Sequence, residues 1–195
     1  MPLIGLTFAA SIALASIDSM PATPASQVSG STIADFEPTE RYRFALGGES
    51  GQYTNAERDG LDHFDGLSTT IHIDEVKGKL GDKWSSLARI NLLGPGEGKD
   101  RKLVSLFFII DRTTHRISTG YQRSKEFPRM ALQKELSTEK PIEVVILATT
   151  PGKLRIDLDG DAFDVDCDLE IKGVSAIGSG ADVLFEPFVM LRRKR

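Results

Sequence analysis

Alternation of apolar and polar residues dominates the chain from Thr69 onward. In KLRIDLDGDAFDVDCDLE, residues 153–170, Leu154, Ile156 and Leu158, then Phe163, Val165, Cys167 and Leu169, stand on every second position. Between the two runs lies Asp159-Gly160, a pair that tolerates the positive φ of a tight hairpin turn. Successive side chains of a strand point to opposite faces. One face of this hairpin is therefore apolar, and the other carries Asp157, Asp159, Asp164, Asp166 and Asp168. Such a hairpin must lay its apolar face on a second sheet.

The same period recurs on both sides of it. ERYRFALG (40–47) reads as a first strand. TTIHIDEVKG gives Ile71 and Ile73 to one face and Thr70, His72 and Asp74 to the other. WSSLARINLLG (84–94) turns Ala88, Ile90 and Leu92 inward, with Leu87, Arg89 and Asn91 opposite. KLVSLFFIID (102–111) is apolar on both faces, as a central strand should be. RISTGYQRS (116–124) returns with Arg116, Ser118, Gly120 and Gln122 on one face. PIEVVILATT, GVSAIGSG and ADVLFEPFVML supply the remaining strands. Pro128 followed by helix formers predicts a short helix over 127–136. The polar, glycine-rich stretch 47–68 either covers a binding site or hides a short irregular strand. About ten closely spaced strands with hardly any helix predict an all-β, two-sheet antiparallel sandwich with at most one or two short helices.

Residues 1–17 are uncharged and largely apolar, and too short for a comfortable membrane span. With Ala13-Leu14-Ala15 and Thr23-Pro24-Ala25 as cleavage sites, residues 1–25 read as a signal peptide and 26–35 as a flexible linker. A single sandwich domain over 36–195, secreted or periplasmic and with no stable membrane span after processing, is the expectation. The formal net charge of −4 argues against a nucleic-acid partner, which needs a basic face. The one cysteine, Cys167, shares the apolar face with Phe163 and Val165 and reads as a core residue.

From Thr69 to Leu191 the order of pieces resembles the concanavalin A-like lectin/glucanase (laminin-G-like) jelly-roll superfamily. A strand headed by Trp84, a long hydrophobic strand with its antiparallel partner, a strand ending in Pro151-Gly152, then LRIDLDG and a last strand with Val-Leu-Phe carry the likeness. PGKLRIDLDGD is its most specific piece. The resemblance implies a concave sheet that holds a carbohydrate ligand. On that sheet His72, Asp74, Arg89, Asn91, Arg116 and Gln122 would bind it, and the two arginines suit an anionic polysaccharide.

Catalytic patterns are thin, so the reading leans to a lectin-like module, with a polysaccharide lyase or glycoside hydrolase of the same fold, or a structural envelope protein, as alternatives. The E-x-D-x-x-E run that sets two carboxylates about 5–5.5 Å apart in retaining glycosidases is absent; HIDEV (72–76) is the nearest. Thr70-Ile71-His72 is similar to the Q-[IV]-H strand of alginate lyases, with Thr in place of Gln. Ser118-Thr119-Gly120-Tyr121 is similar to their tyrosine-rich strand but lacks its Lys. Gly94–Lys99 is no phosphate loop, because Leu93 and Asp100 stand where Gly and Ser or Thr are needed and a strand follows. No cofactor is expected. Calcium is the alternative: Asp157, Asp159 and Asp161 open like a calcium loop with Asp168 twelfth, although Ala162 replaces the required Gly.

Overall fold

The structure is a computed structural model that describes residues 32–78, 83–98, 101–124, 129–130 and 136–195. The expected signal peptide, most of the linker and much of the expected 127–136 helix lie outside the described residues. One 3₁₀ turn, Ile33–Asp35, precedes the strands, and the Asp35 carboxylate accepts the Thr32 backbone N–H at 2.8 Å.

Thirteen strands follow among the described residues. They are β1 (Phe36–Leu46), β2 (Tyr53–Asp59), β3 (Gly66–Val76), β4 (Ser86–Leu93), β5 (Leu103–Ile110), β6 (Arg116–Arg123) and β7 (Arg129–Met130). The rest are β8 (Leu136–Ser137), β9 (Ile142–Thr150), β10 (Lys153–Leu158), β11 (Asp161–Asp166), β12 (Gly173–Ser179) and β13 (Ala181–Arg193). One sheet runs β1-β13-β3-β9-β10-β11, and the other runs β2-β12-β4-β5-β6-β7 with β8 also on β6. We call them the front-to-back partners sheet A and sheet B. Among the described residues every strand pairing is antiparallel. The molecule is the all-β two-sheet sandwich that the alternation predicts.

The core is the meeting of the two inner faces. From sheet A come Ile71, Ile146, Ile156, Leu158, Phe185 and Phe188; from sheet B come Ala88, Ile90, Leu106, Phe108, Val174 and Ala176. Burying each large side chain contributes roughly 1.5–3 kcal/mol before conformational entropy is subtracted. Cys167 is buried in this cluster, as its place among alternating apolar residues implies. The hairpin β10–β11 forms as read, with Asp159 at φ 51° and Gly160 at φ 86°.

One segment departs from the sequence reading, and in another the strand alternative holds. Stretch 47–68 holds a regular seven-residue strand, β2, whose exposure alternates along its length. Its inward positions are Thr54, Ala56 and Arg58, so no hydrophobic period betrays it. The described part of 127–136 is extended: β7 and β8 both pair with β6 instead of forming a helix. A helix of two turns has little intrinsic stability, and the free backbone groups along β6 offer these residues partners.

Candidate functional site

Side-chain parity sends four of the six predicted ligand residues to the outer face of sheet B. Strand register lays that face out in rows. Tyr53 faces Ser179, Ser179 faces Leu87, Leu87 faces Ile109, and Ile109 faces Ser118. The next row is Asn55, Ile177, Arg89, Phe107 and Gly120. The third is Glu57, Ser175, Asn91, Ser105 and Gln122, and Arg116 lies two residues before Ser118 on the same strand face.

His72 and Asp74 do not join them. They belong to β3, in the middle of sheet A, and point outward from that sheet. His72 stands opposite Leu184, which in turn faces Ala45. Asp74 lines a shallow hollow of about 230 Å³ with Arg43, Gly47 and Asp182. The expected convergence of six polar side chains is therefore corrected to four on one sheet and two on the other. Alternation assigns a side chain to a face of its own strand, but it does not say which sheet the strand joins.

Asn91 is also not available to a ligand. It is buried; its Nδ2 donates to Ser175 Oγ at 3.0 Å, and its Oδ1 accepts from Ser105 Oγ at 2.7 Å. This three-strand ladder ties β12, β4 and β5 together across the outer face.

Arg89 behaves differently. It is half-buried between Ile177 and Phe107, and its Nε is buried without an acceptor. Ser179 Oγ is buried without a partner as well. Because Ser179 faces Leu87 and Ile177 faces Arg89, Ser179 and Arg89 are diagonal neighbours on adjacent strands. Such positions lie about 7–8 Å apart, within reach of one small group between long side chains. An unmade hydrogen bond at a buried donor costs about 1–3 kcal/mol. Two on one face, side by side, call for an explanation.

The margin of this region exposes aromatic rings. Tyr53, directly opposite Ser179 on the edge strand, is 53% exposed, and Trp84, just ahead of β4, is 51% exposed. The Trp84 carbonyl accepts Ser50 Oγ at 3.2 Å and a guanidinium N–H of Arg112, whose Nε donates to Ser86 Oγ at 2.8 Å. Lys83 Nζ sits 5.3 Å from the centre of the indole ring. Tyr53, Ser179 and the exposed rings escape a reading by motif, since Tyr53 lies in the polar stretch 47–68, where no hydrophobic period marks a strand. Alternation in GVSAIGSG does put Ser175, Ile177 and Ser179 on the face opposite Val174 and Ala176.

The acidic hairpin is built for its turn. Asp157 lies in β10, and its Oδ1 accepts the Gly160 N–H at 2.8 Å; Asp159 Oδ1 accepts the Glu143 N–H at 2.7 Å. Among the described residues no group of three or more His, Cys, Asp and Glu stands together as metal ligands.

Neither a protein-family model nor a curated protein sequence matches this chain. Solved structures do match. A fructofuranosidase from Schwanniomyces occidentalis complexed with fructosylnystose superimposes with a TM-score of 0.51 at 5% identity, over 81% of this chain and 34% of that one. The chain thus spans about a third of that enzyme's length. An alginate lyase from Alteromonas sp.272 gives 0.46 at 5% identity, covering 67% of this chain and 72% of that one. Scytalido-glutamic peptidase with a peptide-based transition-state analogue gives 0.48 at 16% identity, covering 75% and 76%. At such identities the likeness is one of fold alone, the two-sheet antiparallel sandwich.

Proposed function

We propose that the protein is an exported carbohydrate-binding module that takes its ligand on the outer face of sheet B. The observation that carries this reading is the diagonal pair of buried, unpartnered polar atoms, Arg89 Nε and Ser179 Oγ. A carboxylate or hydroxyl of a bound sugar would satisfy both. Arg89 is long enough to rotate its guanidinium outward from between Phe107 and Ile177, and its planar fork suits a carboxylate. Tyr53 and Trp84 offer exposed ring faces for the apolar side of a sugar ring. Arg116 and Gln122 stand along the far strand of the same face. The apolar, uncharged residues 1–17 support export to a secreted or periplasmic location.

An array of neutral and uronic-acid glycans, run beside turnover assays on the same polymers, tests the reading. Binding to uronate-containing glycans without cleavage is the expected result. Cleavage would make the chain a polysaccharide-degrading enzyme of this fold, and silence in both assays would overturn the carbohydrate reading.

A further inference from the structure

A second concavity, away from the outer face of sheet B, lies at one end of the sandwich. It holds about 350 Å³. Its borders are the loop from β2 to β3, the turn from β9 to β10, the link from β11 to β12, and the end of β13. Backbone hydrogen bonds fasten these segments to each other: Leu61 N–H to Lys172 O at 2.9 Å, Ala148 N–H to Asp65 O at 2.8 Å, and Cys167 N–H to Gly152 O at 2.7 Å. The cleft is thus preformed. Its size falls at the lower end of small-ligand pockets, which run from about 300 to 1,000 Å³.

Its polar lining clusters acceptors at one corner. Asp65, with 17% of its side chain exposed, accepts the Arg193 backbone N–H on Oδ2 at 3.0 Å. Its Oδ1 lies 2.8 Å from His63 Nε2, and the His63 side chain is 78% exposed. A neutral imidazole that donates from Nε2 keeps Nδ1 as an acceptor, and each carboxylate oxygen keeps a lone pair beyond the bond it already accepts. Asp62, also in the lining, has no partner among the described residues. The cations nearby have partners already, although the Arg193 guanidinium keeps N–H groups beyond those it uses. Arg193 Nη2 donates to the carbonyls of Ala148 and Thr149 at 2.7 and 3.2 Å, and Lys153 pairs with Asp166 at 3.3 Å. Glu170 is answered by Lys172 at 2.7 Å. The cleft therefore offers clustered acceptors at Asp62, His63 and Asp65, with donors in the Arg193 guanidinium and the Thr149 and Thr150 hydroxyls, over apolar side chains that include Phe64, Leu154 and Ile171.

We propose that this end cleft is a second binding site, for a small polyhydroxylated ligand of one or two sugar rings, gripped by Asp65, His63 and Asp62. Vicinal hydroxyls donate to the Asp62, His63 and Asp65 acceptors and can accept from Arg193, and the C–H face of a sugar ring lies on the apolar floor. The site stands independently of the sheet-face reading. A polymer crossing the outer face of sheet B has no need to enter it.

The test uses free glucose, galactose, mannose and fructose at millimolar concentration with the isotopically labelled whole chain, followed by amide chemical shifts. Shifts centred on residues 61–65 and 148–153 with at least one sugar, and affinity about tenfold weaker in His63→Ala, support the site. Because His63 is exposed, that variant should keep its fold, and Asp62→Asn serves as the second variant. No shifts with any of the four sugars would overturn the proposal. So would shifts confined to β4 and β12, or unchanged affinity in both variants. Loss of glycan-array binding with the cleft shifts intact would sink the sheet-face reading alone.

Discussion

Asn91 and Ser105, opposite one another on β4 and β5, share a 2.7 Å hydrogen bond that lies buried on the outer face of sheet B. With Ser175 on the far side, Asn91 satisfies a hydroxyl on each neighbouring strand. Removing its amide leaves both serines without that partner. Asn91→Ala should therefore lose about 1–3 kcal/mol of stability in urea unfolding. An equal loss of ligand affinity with unchanged stability would show that Asn91 contacts ligand instead.

Arg89→Ala should have the opposite signature. Its Nε makes no hydrogen bond within the protein, so relief of that unpaired donor offsets the packing lost against Ile177 and Phe107, and the unfolding midpoint should shift little. Affinity for a uronate-containing glycan should fall by about 1.5–3 kcal/mol, the worth of a charged hydrogen bond. Arg89→Lys should not restore it, since an ammonium lacks the planar fork. Calorimetric titration of the three proteins reads the difference. Equal affinity for wild type and Arg89→Ala would remove this residue from the site.

The inner faces were legible because burial on one side of a strand leaves a period of two. That period set Ile71 and Ile73, Ala88, Ile90 and Leu92, and Leu154, Ile156 and Leu158 correctly inward. It failed at β2, an edge strand whose inward side carries Thr54, Ala56 and Arg58. It failed again near 129–130, where local propensity favours helix but the edge of β6 offers backbone partners. For the site, parity placed Arg89, Arg116 and Gln122 on outward faces. The separation of His72 and Asp74 from them depends on β3 pairing with β13 and β9, a long-range choice that no local pattern records. The orphaned atoms of Arg89 and Ser179 are properties of packing, invisible in a string of residues.

Acid should weaken the fold through three carboxylates held below their ordinary range. Asp111 is lowered by the backbone N–H groups of Thr114 and Thr113, at 2.7 and 2.8 Å from its Oδ1. Asp59 is lowered chiefly by its hydrogen bond from Arg101, at 2.6 Å, and Glu40 by those from Tyr42 and Arg58. Each depressed group contributes stability that is fully present above its unfolded value, about pH 4, and lost as pH falls through its folded value. Thermal melts should hold steady near neutrality and decline below about pH 4. Asp111→Asn keeps an acceptor but not the charge, so its acid decline should be shallower. An identical slope would remove Asp111 from the account.

Cys167 should resist alkylation while the chain is folded. Burial pushes its thiol upward, and the thiolate is the reactive species. Intact-mass measurement after iodoacetamide at neutral pH should show slow labelling of the native protein and rapid labelling in urea. Fast native labelling would mean that the wall of the end cleft containing Cys167 opens.

Trp84, the only tryptophan, makes its own surroundings measurable. Gly51 adopts φ +82°, and a Cβ built there would stand 2.7 Å from Cδ1 of the Trp84 ring. Two penalties therefore fall on Gly51→Ala, left-handed backbone strain of about 1–2 kcal/mol and displacement of the indole. Gly51→Asn separates them, because Asn tolerates the left-handed region better but carries the same Cβ. If the contact positions the ring, both variants should shift Trp84 emission, with Asn less destabilised than Ala. If Trp84 also stacks on a glycan at the margin of sheet B, its emission in the wild type should move to shorter wavelength as ligand covers the exposed ring. Both variants should bind more weakly in proportion to the displacement. Glycan binding that leaves the emission of the wild type unchanged would place the sugar away from Trp84 and leave Tyr53 as the aromatic partner.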